Sequence, residues 1–176
     1  MYHIGNALFI ITMNLDSVDI VILDSLQKHG RMSNVRLAEK AGISAPPCLR
    51  RFKLMEHQGV LVGYHAVVNP ELLGFTIKAF CAVSLTSQST ETVSSFLKIV
   101  EREPCIRSCF STSGNEIFIL TIVAKDLKAY EGILHGTLQS SGFVSNITSY
   151  ILLNKHKDEF GIPLDVSGKR SSQTRV

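Results

Sequence analysis

Apolar residues recur at helical spacing through the first third of the chain. Val18, Val21, Ile22 and Leu26 mark one face of a helix. Asp16 precedes that run and Asp19 lies three residues on, a capping box with Asp in place of the usual Glu. Gly30, after His29, is the expected C-terminal stop. Ser33 or Asn34 caps a second, shorter helix through Val35, Leu37, Ala38 and Ala41, and Gly42 ends it. Ile43 and Ser44 complete a tight turn before a third helix that runs to Gln58 and Gly59. Three short helices with a glycine turn between the second and third make a helix-turn-helix arrangement. The β-branched and aromatic run VLVGYHAVVN that follows predicts a small hairpin or wing.

The second half has a different rhythm. Residues 76–85 predict a strand, 90–102 an amphipathic helix capped by Thr90, and 106–112 and 116–123 two strands joined at Ser113-Gly114-Asn115. Asp126 caps a further helix through Leu127, Tyr130, Ile133, Leu134 and Leu138, which Gly142 stops, and 144–153 is a last strand. The order βαββαβ is that of a ferredoxin-like four-stranded antiparallel sheet with two helices on one face. The expected fold class is therefore α+β, a winged helix-turn-helix domain followed by a ferredoxin-like domain. The expected limits are an N-terminal extension at 1–14, the helix-turn-helix domain at 15–68, a hinge at 69–75, the ferredoxin-like domain at 76–153 and a flexible, polar tail at 154–176.

Composition narrows the options. Apolar residues are 45% of the 176, enough for a real core, yet no run approaches the roughly 20 apolar residues of a membrane-spanning helix. The first residues lack the basic region and small-residue cleavage site of a signal peptide, which leaves residues 1–12 as an extension without essential role and the cytoplasm as the expected location. Four cysteines (48, 81, 105 and 109) have no CxxC spacing, and the six histidines form no HxxxH or HExxH pattern. Buried, reduced thiols and no metal or cofactor are the expectation. The net charge is only +3, but residues 15–65 carry +2 and residues 76–153 are neutral. Three of the seven cations in 15–65 (Arg50, Arg51 and Lys53) fall in four consecutive positions.

The stretch GISAPPCLRRFK explains that cluster. Prolines in the first turn of a helix forfeit no hydrogen bond, and a residue before proline avoids the helical region. This predicts Ala45 at the N-cap with Pro46 and Pro47 at the first two helical positions. Ser44, just outside, and the free N–H groups of the positive helix end suit a phosphate. The prolines also stiffen the start of the helix. At roughly 100° per residue, Cys48, Phe52, Met55 and Gly59 share one face. Pro46, Arg50, Lys53, Leu54 and His57 share the other, with Arg51 and Gln58 on a flank. Outward Arg and Lys side chains on a helix that fits the major groove meet guanine edges or phosphates. His57 either contacts the groove or stays solvated near the negative helix end. Leu54 is not explained by this reading. The candidate DNA-contacting set is Ser44, Pro46, Pro47, Arg50, Arg51, Lys53 and His57, and the partner is double-stranded DNA.

Residues 15–70 resemble the N-terminal domain of the Lrp/AsnC family of transcription regulators. The motifs carrying the resemblance are LD..D..IL..LQ..GR.SN..LA...G.S, PCLRRFKLMEHQG and GY.A.VNP. The second half resembles that family's ligand-binding and oligomerisation domain. The resemblance implies DNA binding through the helix starting at Pro46. It also implies a homodimer formed through the second domain, dimers assembled into octamers or similar rings, and an amino-acid effector held between dimers. The implied effector residues are Gly114, Asn115, Ile117, Leu127, Thr148 and Tyr150. The family often shows G-D-[FY]-D at the turn between the second and third strands, where this chain has Gly114-Asn115-Glu116-Ile117. A carboxylate at the last position would pair with an ammonium group; Ile117 cannot. The effector is thus left open between an amino acid, another small molecule and none.

Two other functions suit the same architecture. One is a DNA-organising protein of low sequence preference, which the basic tail would serve. The other is an enzyme resembling sirohaem decarboxylases, which would need histidine and cations in a cleft. His135 is the sole histidine within 76–153, and that region is neutral. No triad, P-loop or paired-carboxylate pattern is present, so no catalysis is expected.

Overall fold

The computed structural model describes residues 14–113, 117–159 and 161–166. They form two compact units. The first contains residues up to Ala66 together with those from Asp158 onward, and the second is Val67–Lys157.

Three helices build the first unit: α1 (Ser17–Lys28), α2 (Asn34–Ala41) and α3 (Ala45–His57). The capping box at α1 forms with both arms. Asp19 N donates to Asp16 Oδ1 at 3.0 Å and Asp16 N to Asp19 Oδ2 at 3.1 Å. Ser33 caps α2, its hydroxyl accepting from Arg36 N. Gly42 closes α2 at φ 67°, a left-handed conformation that suits glycine. Gly30 does not play that role for α1. The cap there is His29 with φ −142°, and Gly30 lies in the turn that follows, which Met32 N closes onto His29 O at 3.0 Å. Ile22, Leu23, Leu26, Leu37, Ala38, Cys48 and Met55 form the buried core, and each fully buried large side chain contributes about 1.5–3 kcal/mol.

Helix α3 starts one residue earlier than predicted. Cys48 N donates to Ser44 O at 3.3 Å, which makes Ser44 the cap and puts Pro46 and Pro47 at the second and third positions. The N–H groups of these positions are unbonded in any helix, so both prolines are tolerated there too. The expected β wing is absent as well: among the described residues, 62–69 carry no strand. An extended segment without a ladder partner among the described residues is marginal alone.

The 154–176 stretch, predicted to be a flexible tail, departs from expectation in its described part. Residue Ile162 clasps α1: Ile162 N donates to Gln27 Oε1 at 2.8 Å, and Gln27 Nε2 donates to Ile162 O at 3.1 Å. Leu164 packs against the helical core. One apolar anchor and a side-chain amide that satisfies both backbone groups are enough to seat an otherwise polar segment.

The second unit opens with a single 3-10 turn, Glu71–Leu73. Then come β1 (Ile77–Leu85), α4 (Thr90–Arg102), β2 (Ile106–Ser111), β3 (Ile117–Ala124), α5 (Leu127–Glu131) and β4 (Val144–Ile151). The sheet order is β2-β3-β1-β4 with every pairing antiparallel. Ala79, Cys81, Val83, Phe118, Leu120 and Ile122 bury one face against Phe96, Val100, Tyr130, Ile133 and Leu138 of the helices. Ser89, one residue before the predicted cap, accepts from Thr92 N and caps α4. Asp126 caps α5 as predicted, accepting from Ala129 N at 2.7 Å. Helix α5 then widens into a π turn over Gly132–Leu138 and ends in a 3-10 turn at Gln139–Ser141. Ile133 and Leu138 would point roughly 140° apart on a regular helix. Five residues make about one π turn, so the widening brings both into the core.

Candidate nucleic-acid interface and effector region

Helix α3 presents the arrangement a groove-reading helix needs. Cys48 and Met55 are fully buried beneath it, and Phe52 is partly buried at the edge of the core. Pro46, Arg50, Lys53, Leu54 and His57 are exposed on the opposite side. Ser44 is exposed and its side chain makes no capping bond, so its hydroxyl is open to another partner. Because Pro46 and Pro47 carry no N–H and Cys48 N is already bonded, the backbone donors left at this helix start are those of Ser44 and Ala45.

Arg51, expected among the DNA contacts, is engaged within the helical unit. Its Nη1 donates to Asp16 Oδ2 at 2.6 Å and to Asp19 Oδ1 at 2.9 Å, joining α3 to the start of α1. The backbone N–H of Asp19, against the opposing effect of burial and reinforced by Arg51, holds the Asp16 carboxyl below its usual value. Two carboxylates at one helix start call for a cation, and that signal was readable in Asp16 and Asp19. Two further braces leave no mark in the pattern. Asn34 Nδ2 donates to Ala45 O at 2.8 Å, fixing the start of α2 to the start of α3. Tyr64 stacks at a tilt on Phe52, and its hydroxyl donates to Glu56 Oε1 at 3.3 Å. Burial, and then the Glu56 charge, push the Tyr64 hydroxyl up to about 12.

The predicted effector residues are scattered over the second unit. Gly114 and Asn115 lie outside the described residues. Ile117 starts β3 opposite Ser84. Thr148 pairs with Ala82 and Tyr150 with Phe80. Both are exposed on the sheet face that carries no helix, where Phe80, Phe110 and Tyr150 are 43%, 59% and 60% exposed. Leu127 is the exposed first residue of α5, the helix packed on the other face. Beneath that helix, Tyr130 Oη donates to Ser149 Oγ at 2.7 Å and lies 3.0 Å from Cys81 Sγ. Desolvation, and then the Cys81 contact, push the Tyr130 hydroxyl up to about 12. Burial also raises the thiols of Cys48, Cys105 and Cys109, the last to about 11, which keeps them protonated at neutral pH. Among the described residues, no helix is long and apolar enough to cross a membrane.

Known proteins share both halves. The AsnC-type helix-turn-helix domain matches residues 15–56, and the Lrp/AsnC ligand binding domain matches residues 78–162. The leucine-responsive regulatory protein of Rhizobium meliloti is 36% identical over 149 residues, covering 85% of this chain and 96% of that protein. A transcriptional regulator from Neisseria meningitidis, solved in complex with L-Met, superposes with a TM-score of 0.82 at 33% identity. That match covers 86% of this chain and 97% of the other. An AsnC family transcriptional regulator from Agrobacterium tumefaciens superposes with a TM-score of 0.79 at 26% identity, over 86% and 98% of the two chains. With both domains matched in order and a relative 36% identical over most of both chains, the chain belongs to the Lrp/AsnC family of DNA-binding transcription regulators.

Proposed function

We propose that this regulator reads a specific DNA sequence with α3 in the major groove. Arg50 and Lys53 meet base edges or phosphates, His57 lies at the groove rim, and Ser44 faces a phosphate at the helix start. Pro46 and Pro47 hold the angle of approach. The observation that carries this reading is the outer face of α3, where Arg50, Lys53 and His57 stand exposed over a fully buried Cys48 and Met55. A bidentate arginine–guanine contact gives about 1–3 kcal/mol of discrimination, enough to set a sequence preference over phosphate contacts alone.

The second unit is, on this reading, the effector and assembly module. Its helix-free face, with Phe80, Phe110 and Tyr150 exposed, suits packing against the same face of a second copy. Rings of such dimers follow from the family resemblance. The L-Met bound by the Neisseria relative supports an amino acid as effector. Ile117 supplies no carboxylate for its ammonium group, so the backbone and Thr148 would take a larger share of the recognition. The protein works in the cytoplasm and performs no catalysis.

Fluorescence anisotropy on the duplex upstream of its own coding sequence and on a shuffled duplex, at one fixed salt concentration, tests this. A preference of about a thousandfold that falls on Arg50→Ala supports the reading, and an amino acid that shifts the curve identifies the effector. Equal binding to both duplexes refutes sequence-specific recognition of that site.

A further inference from the structure

The seven cations of residues 15–65 do not all serve α3. Lys28 is paired with Asp24 at 2.8 Å, and Arg51 with Asp16 and Asp19. Arg50 and Lys53 stand on the outer face of α3. The remaining three, Arg31, Arg36 and Lys40, line one shallow concavity of about 620 Å³ at the turn between α1 and α2. All three are exposed, and they form no ion pair among the described residues. Glu39 is the one carboxylate in the lining, so the concavity keeps a positive excess. His29 and Gly30 complete the wall nearest α1.

The placement follows from the helix. Leu37 and Ala38 bury the inner side of α2. At roughly 100° per residue, Arg36 and Lys40 lie on the outer side one turn apart, next to Arg31 in the preceding loop. The Asn34–Ala45 bond fixes the start of α2 beside the start of α3. When the second helix of such a pair lies in the major groove, the first crosses the DNA backbone.

We infer that Arg31, Arg36 and Lys40 form a second anion site that grips backbone phosphates of the same duplex. This rests on the proposed docking of α3 and extends it. The site contributes affinity without sequence information, since phosphate contacts fix register while base edges specify. Each phosphate neutralised on B-DNA releases counterions and adds about 0.9 to the slope of log K against log salt.

The test measures that slope for the full chain on the upstream and shuffled duplexes. Three proteins are compared: wild type, the triple variant R31Q/R36Q/K40Q, and the charge-keeping variant R31K/R36K. The triple variant should have a slope shallower by about 2–3 on both duplexes, with the affinity ratio between them kept within about twofold. The charge-keeping variant should retain the wild-type slope, which excludes a fold defect as the cause. An unchanged slope in the triple variant overturns the inference. So does a loss confined to the upstream duplex, which would mean base reading. A wild-type protein that binds both duplexes equally would instead fault the reading of α3, and the slopes would still judge the α2 cations on their own.

Discussion

Replacing Arg51 with Ala separates a brace from a DNA contact. One guanidinium nitrogen holds two carboxylates, Asp16 at 2.6 Å and Asp19 at 2.9 Å. Hydrogen bonds to charged groups contribute about 1.5–3 kcal/mol each. The Asp16 side chain is half exposed, which reduces its share to the surface scale of about 0–1 kcal/mol. Asp19 is buried, keeps its capping bond from the Asp16 backbone and loses its one cation. The loss should total about 2 kcal/mol, which for a domain of this size lowers Tm by about 10 °C. Circular dichroism melts of wild type and Arg51→Ala read that difference directly. The gap should also depend on pH. The Asp16 carboxyl titrates below its ordinary 3.8 in the fold, so its contribution is present above that value and lost as pH falls through the native pKa. The gap between the two proteins should therefore narrow in strong acid. An unchanged Tm with a salt slope on DNA lowered by about one would refute the brace and return Arg51 to the DNA-facing set.

Three further outcomes follow from the same structure. Phe80→Asp places a charge on the helix-free sheet face and should shift the protein to monomers by light scattering, with the domain still folded; a retained assembly would refute that face as the contact. Gly161 sits at φ 88°, and a Cβ there would come within 2.2 Å of Gln27 Oε1. Gly161→Ala should cost about 1–2 kcal/mol and speed hydrogen exchange at the Ile162 amide, as should Gln27→Ala. Tyr130 keeps its proton to about pH 12 in the fold but loses it near 10 when unfolded. The neutral form is the one the fold favours, so stability should fall as pH rises from about 10 to 12, and Tyr130→Phe should flatten that decline.

What the sequence made legible was local or periodic. The Asp16 and Asp19 box, the Asp126 cap and the Gly42 and Gly142 stops are short-range devices, and all four formed. The burial of Cys48 and Met55 follows from helical spacing. Pairings between residues far apart along the chain were harder to read. Arg51 belongs to carboxylates 32 and 35 residues away. Gln27 and Ile162 are 135 residues apart, and no periodicity joins them. Widening of α5 into a π turn answers to packing against the sheet rather than to propensity. The predicted wing failed because a strand pattern specifies no partner. Thr148 and Tyr150 were placed on a strand correctly, but sequence alone did not show that they share the uncovered face with Phe80.

The clasp between Gln27 and Ile162 also bears on how the protein is made. A three-helix unit of local contacts would ordinarily fold as soon as its own residues leave the ribosome. Here one wall of that unit, Leu164 and its neighbours, is supplied from beyond the entire second domain. The Gln27 amide can meet the Ile162 backbone only once the chain beyond the second domain has been made. The last contacts of the helical unit are therefore made only after the second domain has been synthesised.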